Sequence, residues 1–131
     1  MDANALLEKA LEAKAYAYAP YSQFKVGAAV LTQSGKIFTG CNIECASYGG
    51  TNCAERTALF KAISEGEREI KAIAIVSDSD EDTFPCGICR QVILEFGRNI
   101  QIVVGKPYQE IKIFSIEELL PNSFSGADLK K

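Results

Sequence analysis

Cys53, Glu55 and Arg56 stand within four positions of one another in TNCAERTAL, residues 51–59, and Cys86 and Cys89 form a Pro-Cys-x-x-Cys further along the chain. Both cysteine groups sit where helices are predicted to begin. Helix N-termini carry partial positive charge and lower thiol pKa values, so these thiols are placed to ionise and bind a soft metal. Zinc held by three protein ligands keeps a position open for chemistry, whereas a structural site takes a fourth ligand. Histidine is absent from the sequence, which removes His-based triads and His-ligated metals together. Glu55 has two readings. It can hang over the open position and carry protons, or it can close a capping box with Asn52, which has the right spacing. The metal context favours the first.

The other chemistry of these residues is plainer. Cys-x-x-Cys also serves as a redox dithiol, but that use wants it directly after the first strand of a thioredoxin-like unit, and here it comes late. Single cysteines pack as small apolar residues. That suits Cys41 and fits three cysteines at two helix starts poorly. Cys41 and Cys45 are also the only thiols left to supply a fourth ligand, so a structural zinc module is the rival reading. Arg56 can donate to thiolate sulfur and offset its charge, or can be a surface helix arginine; Arg90, next to Cys89, is the other candidate.

These residues need a scaffold that brings two helix starts together. Leu6, Leu7, Ala10, Leu11 and Ala15 make one face of a first helix. PYS (Pro20 to Ser22) then breaks the chain. FKVGAAVL and KIFTGCNI read as strands joined by TQSG, a hairpin. CAERTALFKAISEG is a helix stopped by Gly66, and IKAIAIVS is a strand apolar enough to be buried on both faces. A second helix, CGICRQVILEFG, closes at Gly97. IQIVV and IKIFS are further strands, and SIEELLP is a short helix with Ser115 and Glu118 spaced as a capping box. The order α-β-β-α-β-α-β-β-α implies an α/β fold, a three-layer α/β/α sandwich around a five-stranded mixed sheet. The strand between the two cysteine-bearing helices should deliver both N-termini to one sheet edge. PNSFSGADLKK, after the last helix, shows no strand or helix pattern.

A chain of 131 residues fits a single domain, 1–131, with a core of its own. Lys+Arg of 14 against Asp+Glu of 17 gives −3, which argues against a nucleic-acid partner. No apolar run reaches membrane-spanning length and no secretory signal opens the chain, so a cytoplasmic, membrane-free protein is expected. Five cysteines, odd in number and uneven in spacing, speak against a disulfide scaffold. The run Asp78, Asp80, Glu81, Asp82 reads as a solvated loop lacking the spaced ligands and glycine of a calcium site.

C-A-E followed by P-C-x-x-C resembles the zinc-dependent nucleoside and nucleobase deaminases, in which the glutamate does general acid/base work. PYSQFKVGAAV, GCNIE, SYGGTNCAERTA, PCGICRQVILEF and ELLPNSF are similar, in order and across nearly the whole chain, to the small homotetrameric cytidine deaminases. The resemblance implies about one zinc per chain on Cys53, Cys86 and Cys89, with Glu55 as proton shuttle. It implies that Phe24 packs against the pyrimidine, that Asn42 and Glu44 bind the ribose, and that Ala54 meets the base through its backbone. Ala46, Tyr48 and Phe124 would be lent to a neighbouring subunit's site, in a homotetramer with shared active sites. The implied reaction is deamination of cytidine and 2'-deoxycytidine in pyrimidine salvage. Another aminopyrimidine nucleoside, of the antibiotic type, is the alternative substrate. One departure stands out: Cys45 follows Asn-Ile-Glu where the family usually has Asn, and a thiol is a weak replacement for an amide that holds a loop.

Overall fold

Ile70–Ser77 is β-branched and apolar almost throughout, and it lies at the centre of the sheet with nearly every residue buried. The computed structural model describes residues 1–130. Their elements run α1 (Ala3–Lys14), β1 (Val26–Thr32), β2 (Ile37–Cys41), α2 (Ala54–Ser64), β3 (Ile70–Ser77), α3 (Gly87–Glu95), β4 (Gln101–Gly105), β5 (Ile111–Ser115), α4 (Ile116–Leu119) and α5 (Gly126–Leu129), with one 3-10 turn at Tyr48–Gly50. The strand order is β2-β1-β3-β4-β5.

The expected five-stranded mixed sheet is therefore present, with pairing that the strand list alone did not fix. β1 pairs antiparallel with both β2 and β3, β3 pairs parallel with β4, and β5 returns antiparallel. β3 runs in the same direction as β2 but is separated from it by β1. α2 follows β2 and α3 follows β3, so both helices start beyond the same end of the sheet. That is the convergence the cysteines require.

Alternation along β1 divides the core in two. Ala28 and Val30 point toward α2, α3 and α4, together with Leu59, Ile73, Ile75, Ile93 and Val104. Ala29 faces the other way, where Leu6, Leu7 and Ala10 of α1 cover Ala72, Ala74, Val76 and Val103. Burial of these apolar faces on both sides of one sheet is the main stabilising term, and it makes the three layers. The small residues let helices come close. A Cβ on Gly27 would fall 2.0 Å from the Ala10 carbonyl oxygen, and one on Gly40 would fall 2.4 Å from the Ala58 nitrogen. Gly40 thus lets β2 press directly on the first half of α2, which fixes where that helix begins.

Helix ends match the predicted stops. Gly66 takes φ +93° after α2, with Glu67 N–H donating back to the Ala62 carbonyl at 3.0 Å. Ser115 and Glu118 form the capping box of α4. The tail is a correction: Gly126–Leu129 is a short helix, closed by a capping box between Ser125 and Asp128. Four residues carry no apolar periodicity, so side-chain capping makes this turn. Among the described residues, no helix is long and apolar enough to cross a membrane.

Candidate active site

α2 and α3 each begin on a cysteine. Cys53 is the N-cap of α2 and Cys86 that of α3, both in extended backbone and neither making a side-chain capping bond. The contrast is with α1, where Asp2 accepts from Ala5 N–H at 3.1 Å. Replacing a good cap by a poor one costs a helix roughly 1 kcal/mol, and it leaves the thiol directed elsewhere. Cys89, one turn into α3, is fully buried. The sulfurs of Cys53, Cys86 and Cys89 all lie within 4.8 Å of one another, with 3.9 Å between Cys53 and Cys86.

Three thiols this close share their protons unequally. Cys53 is lowered to about 5, first by a hydrogen bond with Cys89 and then by the hydrogen bond and charge of Arg56. Cys89 moves upward, because it gives that hydrogen bond, is buried, and faces the charge of Glu55. A soft, anionic, preassembled donor set of this kind suits zinc. Cys41, half-buried in β2, and Cys45, exposed in the following loop, lie outside the group. Among the described residues the cluster therefore offers three sulfurs and no fourth, the catalytic rather than the structural pattern.

Glu55 lies in the first turn of α2 and is only 5% exposed. The capping-box alternative does not form: Cys53 is the N-cap, and the Asn52 amide donates instead to Thr57 Oγ1 at 3.0 Å. Burial raises the Glu55 carboxyl to about 7, with the charge of Cys53 adding to the rise and its own backbone N–H opposing it. A buried carboxyl beside ionisable sulfur, with its affinity for a proton raised toward neutrality, is the arrangement of a proton-transfer group.

Arg56 Nη2 donates to Cys53 Sγ at 3.4 Å and reaches the Thr51 carbonyl at 3.5 Å, while its Nε is buried without a partner. A surface helix arginine would do neither. Arg90 goes elsewhere. It donates to the carbonyls of Pro85 and Leu119, both at 2.7 Å, and so ties the loop before Cys86 to the end of α4.

Of the residues expected to hold a nucleoside, Glu44 and Tyr48 line a cleft of about 330 Å³ together with Tyr21, Ser22 and Thr51. A larger concavity of about 610 Å³ between α1, β2 and α2 is lined by Cys41 but by none of the three clustered cysteines, Glu55 or Glu44, so size alone does not select the site. Phe24 precedes β1 rather than lying in it and is 41% exposed, which removes it from the core. Asn42 is buried, with Oδ1 accepting from Val26 N–H at 2.9 Å and Nδ2 donating to the Phe24 carbonyl at 2.8 Å. One N–H and one lone pair of that amide remain for a ligand. Glu44 accepts from the N–H groups of Tyr21 and Ser22 at 2.9 and 3.1 Å and from the Ser22 hydroxyl, which holds its carboxyl below the usual range. Ala54 is buried at the first position of α2. Ala46 and Tyr48 are exposed, Tyr48 standing edge-on to Tyr21 at 6.2 Å. Phe124 is 59% exposed, so it does not fold back into its own core. The loop after Cys45 is closed by the residue's backbone, whose N–H donates to Thr51 Oγ1 at 3.1 Å; the unusual side chain is not what closes it. Tyr21, Ser22 and Thr51 were given no role of their own in the sequence, where PYS read as a chain break within a stretch similar to the family.

Three converging sulfurs and a buried carboxyl on a three-layer α/β scaffold define a metal-dependent hydrolytic site. Residues 1–106 match the family described as the cytidine and deoxycytidylate deaminase zinc-binding region. A cytidine deaminase of Halalkalibacterium halodurans is 48% identical over 130 residues, covering 98% of each chain. A probable cytidine deaminase of Dictyostelium discoideum is 49% identical, with 94% of this chain and 86% of that one covered. The crystal structure of a cytidine deaminase from Burkholderia pseudomallei superposes with a TM-score of 0.89 at 49% identity, over 95% of this chain and all of that one. The chain belongs to the zinc-binding cytidine and deoxycytidylate deaminase family. It is an enzyme of that family, with zinc as its cofactor.

Proposed function

We propose that the protein hydrolyses cytidine and 2'-deoxycytidine to uridine and 2'-deoxyuridine, releasing ammonia, in pyrimidine salvage. The observation that carries this reading is the buried Glu55 carboxyl beside the Cys53, Cys86 and Cys89 sulfurs. Cys53, Cys86 and Cys89 would hold the zinc, which when bound would supply a water acidified toward neutrality as the nucleophile. Glu55 takes the proton that the water gives up and delivers it to N3 of the pyrimidine as oxygen adds to C4. It then carries the proton of the new C4 hydroxyl to the amine, so that the C4 carbonyl forms, the C4–N bond breaks and ammonia leaves. Phe24 packs against the ring, the Ala54 backbone meets the base, and Asn42 and Glu44 receive the ribose hydroxyls. No organic cofactor is required. Loss of cytidine absorbance on adding purified protein, abolished by a chelator and restored by zinc, tests the reading; an inert zinc-loaded protein overturns it.

Three thiolates give zinc a net charge of −1, a poor state for a Lewis acid, and Arg56 offsets it through the Cys53 sulfur. Arg56→Gln is expected to keep zinc while lowering kcat by about tenfold, the scale set by outer-shell partners of metal ligands. Equal kcat in the variant and the parent would return Arg56 to a structural role.

The working form is proposed to be a homotetramer in the cytoplasm, where the five free cysteines stay reduced. Phe124 and Leu129 are exposed on the single chain, and a closed symmetric assembly would cover them. Phe124, Ala46 and Tyr48 would then complete a neighbour's site. Light scattering is expected to give four times the 14.2 kDa chain mass, and a fully active monomer would sink the idea. Mixing dissociated Glu55→Ala and Phe124→Ala subunits should restore some activity, because some sites then draw both intact residues from different chains.

A further inference from the structure

The segment between Ala19 and Lys25 has neither strand nor regular helix, yet it is fixed at nearly every residue. Gln23 takes φ +61°, a conformation that a non-glycine residue keeps only where its surroundings impose it. Its N–H donates to the Ala19 carbonyl at 3.0 Å and its amide to the Pro20 carbonyl at 3.1 Å. On one side of Gln23, Tyr21 and Ser22 donate their N–H groups to a single oxygen of Glu44. On the other, the Phe24 carbonyl is held by Asn42.

One hydroxyl joins the two halves. Ser22 Oγ donates to the second oxygen of Glu44 and accepts the Phe24 N–H at 3.1 Å. A hydroxyl has one proton to give and two lone pairs, so this group is saturated on its donor side by Glu44 and used on its acceptor side by Phe24. We infer that Ser22 is a positioning residue for substrate binding, setting the residue that packs on the base and the residue that receives the sugar at one fixed separation. The inference rests on the deaminase reading and its assignment of Phe24 and Glu44.

The consequence is specific to binding. Without the Ser22 hydroxyl, Glu44 keeps its two backbone donors on Oε1 but loses the contact that stops Oε2 from swinging. Phe24 N–H loses its partner at the same moment. The thiols, Glu55 and Arg56 touch none of these groups, so chemistry should proceed once the nucleoside is seated. An interaction present equally in ground and transition states appears in KM and leaves kcat alone.

Steady-state kinetics of the zinc-loaded protein with cytidine, for Ser22→Ala and Ser22→Thr, tests the role. Ser22→Ala is expected to raise KM by about tenfold to a hundredfold, the range of one hydrogen bond to a charged group, and to leave kcat within about threefold. Calorimetric binding of the product uridine should weaken by the same factor as KM rises. Ser22→Thr keeps the hydroxyl and should keep KM close to the parent. Zinc content and melting temperature are expected to be unchanged in both. A parent-like KM for Ser22→Ala, an effect confined to kcat, an equal loss in Ser22→Thr, or failure of Ser22→Ala to fold would each overturn the role. Lack of turnover by the parent is a different failure: it overturns the deaminase reading itself.

Discussion

Glu55→Gln is expected to fold, to hold zinc, and to lose about 10²–10⁴-fold in cytidine turnover, the scale of positioned general acid–base catalysis. The substitution keeps shape and volume and removes only the ability to take up and hand on a proton. Glu55 is 5% exposed and stands outside any capping box, and a glutamine side-chain oxygen can still accept the backbone N–H that the carboxyl faces in the first turn of α2. Arg56, whose charge also reaches the carboxyl, keeps its hydrogen bond to Cys53. Turnover and metal content should therefore separate cleanly, one falling by orders of magnitude and the other not at all. A variant running at near-parent rate would take Glu55 out of the mechanism.

The second large effect is in metal content. Cys86→Ala is expected to drop zinc from about one ion per chain to a small fraction, with activity falling in step, because the site would be left with two sulfurs. Cys86 is the informative position, since its side chain is exposed and it makes no capping bond that its loss would break. Cys53→Ala should behave alike. Cys89→Ala adds a packing loss, as that sulfur is buried in the core face of α3. Cys41→Ala and Cys45→Ala should retain the parent's zinc, because neither sulfur belongs to the cluster. Metal analysis of the five variants decides it. Undiminished zinc in Cys53→Ala would break the assignment of ligands.

What the chain revealed before its fold was known follows from the range of the interactions concerned. Cys53, Cys86 and Cys89 could be brought together from sequence because each sits where a helix follows a strand, and that geometry is local. The apolar continuity of Ile70–Ser77 likewise announced a central strand. Which neighbours that strand takes was not legible, since β3 pairs with β1 across a hairpin that precedes it, a matter of whole-sheet closure. Phe24 opened a strand-like run, so its residue pattern alone read as core and only the resemblance placed it at the ring; the turn at Gln23 with its positive φ precedes a side chain that is 41% exposed. Arg90 looked equivalent to Arg56 until the carbonyls of Pro85 and Leu119 claimed it. The tail helix did carry a signal, the Ser125-x-x-Asp128 spacing, but four residues offer no periodicity to confirm it.

Cys53 and Cys86 cap separate helices, with all of α2 and β3 lying between them in sequence. An ion gripped by both is a rivet as much as a reagent. It closes a long stretch of chain, whose closure in the unfolded state would be entropically costly, and a ligand that favours the native state adds stability in proportion to the logarithm of its concentration over its dissociation constant. A molecule short of zinc would thus be more than an idle catalyst: it would lack the stability that a bound ion adds and would open more often to a protease. The amount of this protein that survives in a cell should accordingly follow the zinc supply, so that scarcity trims the number of molecules as well as the fraction at work.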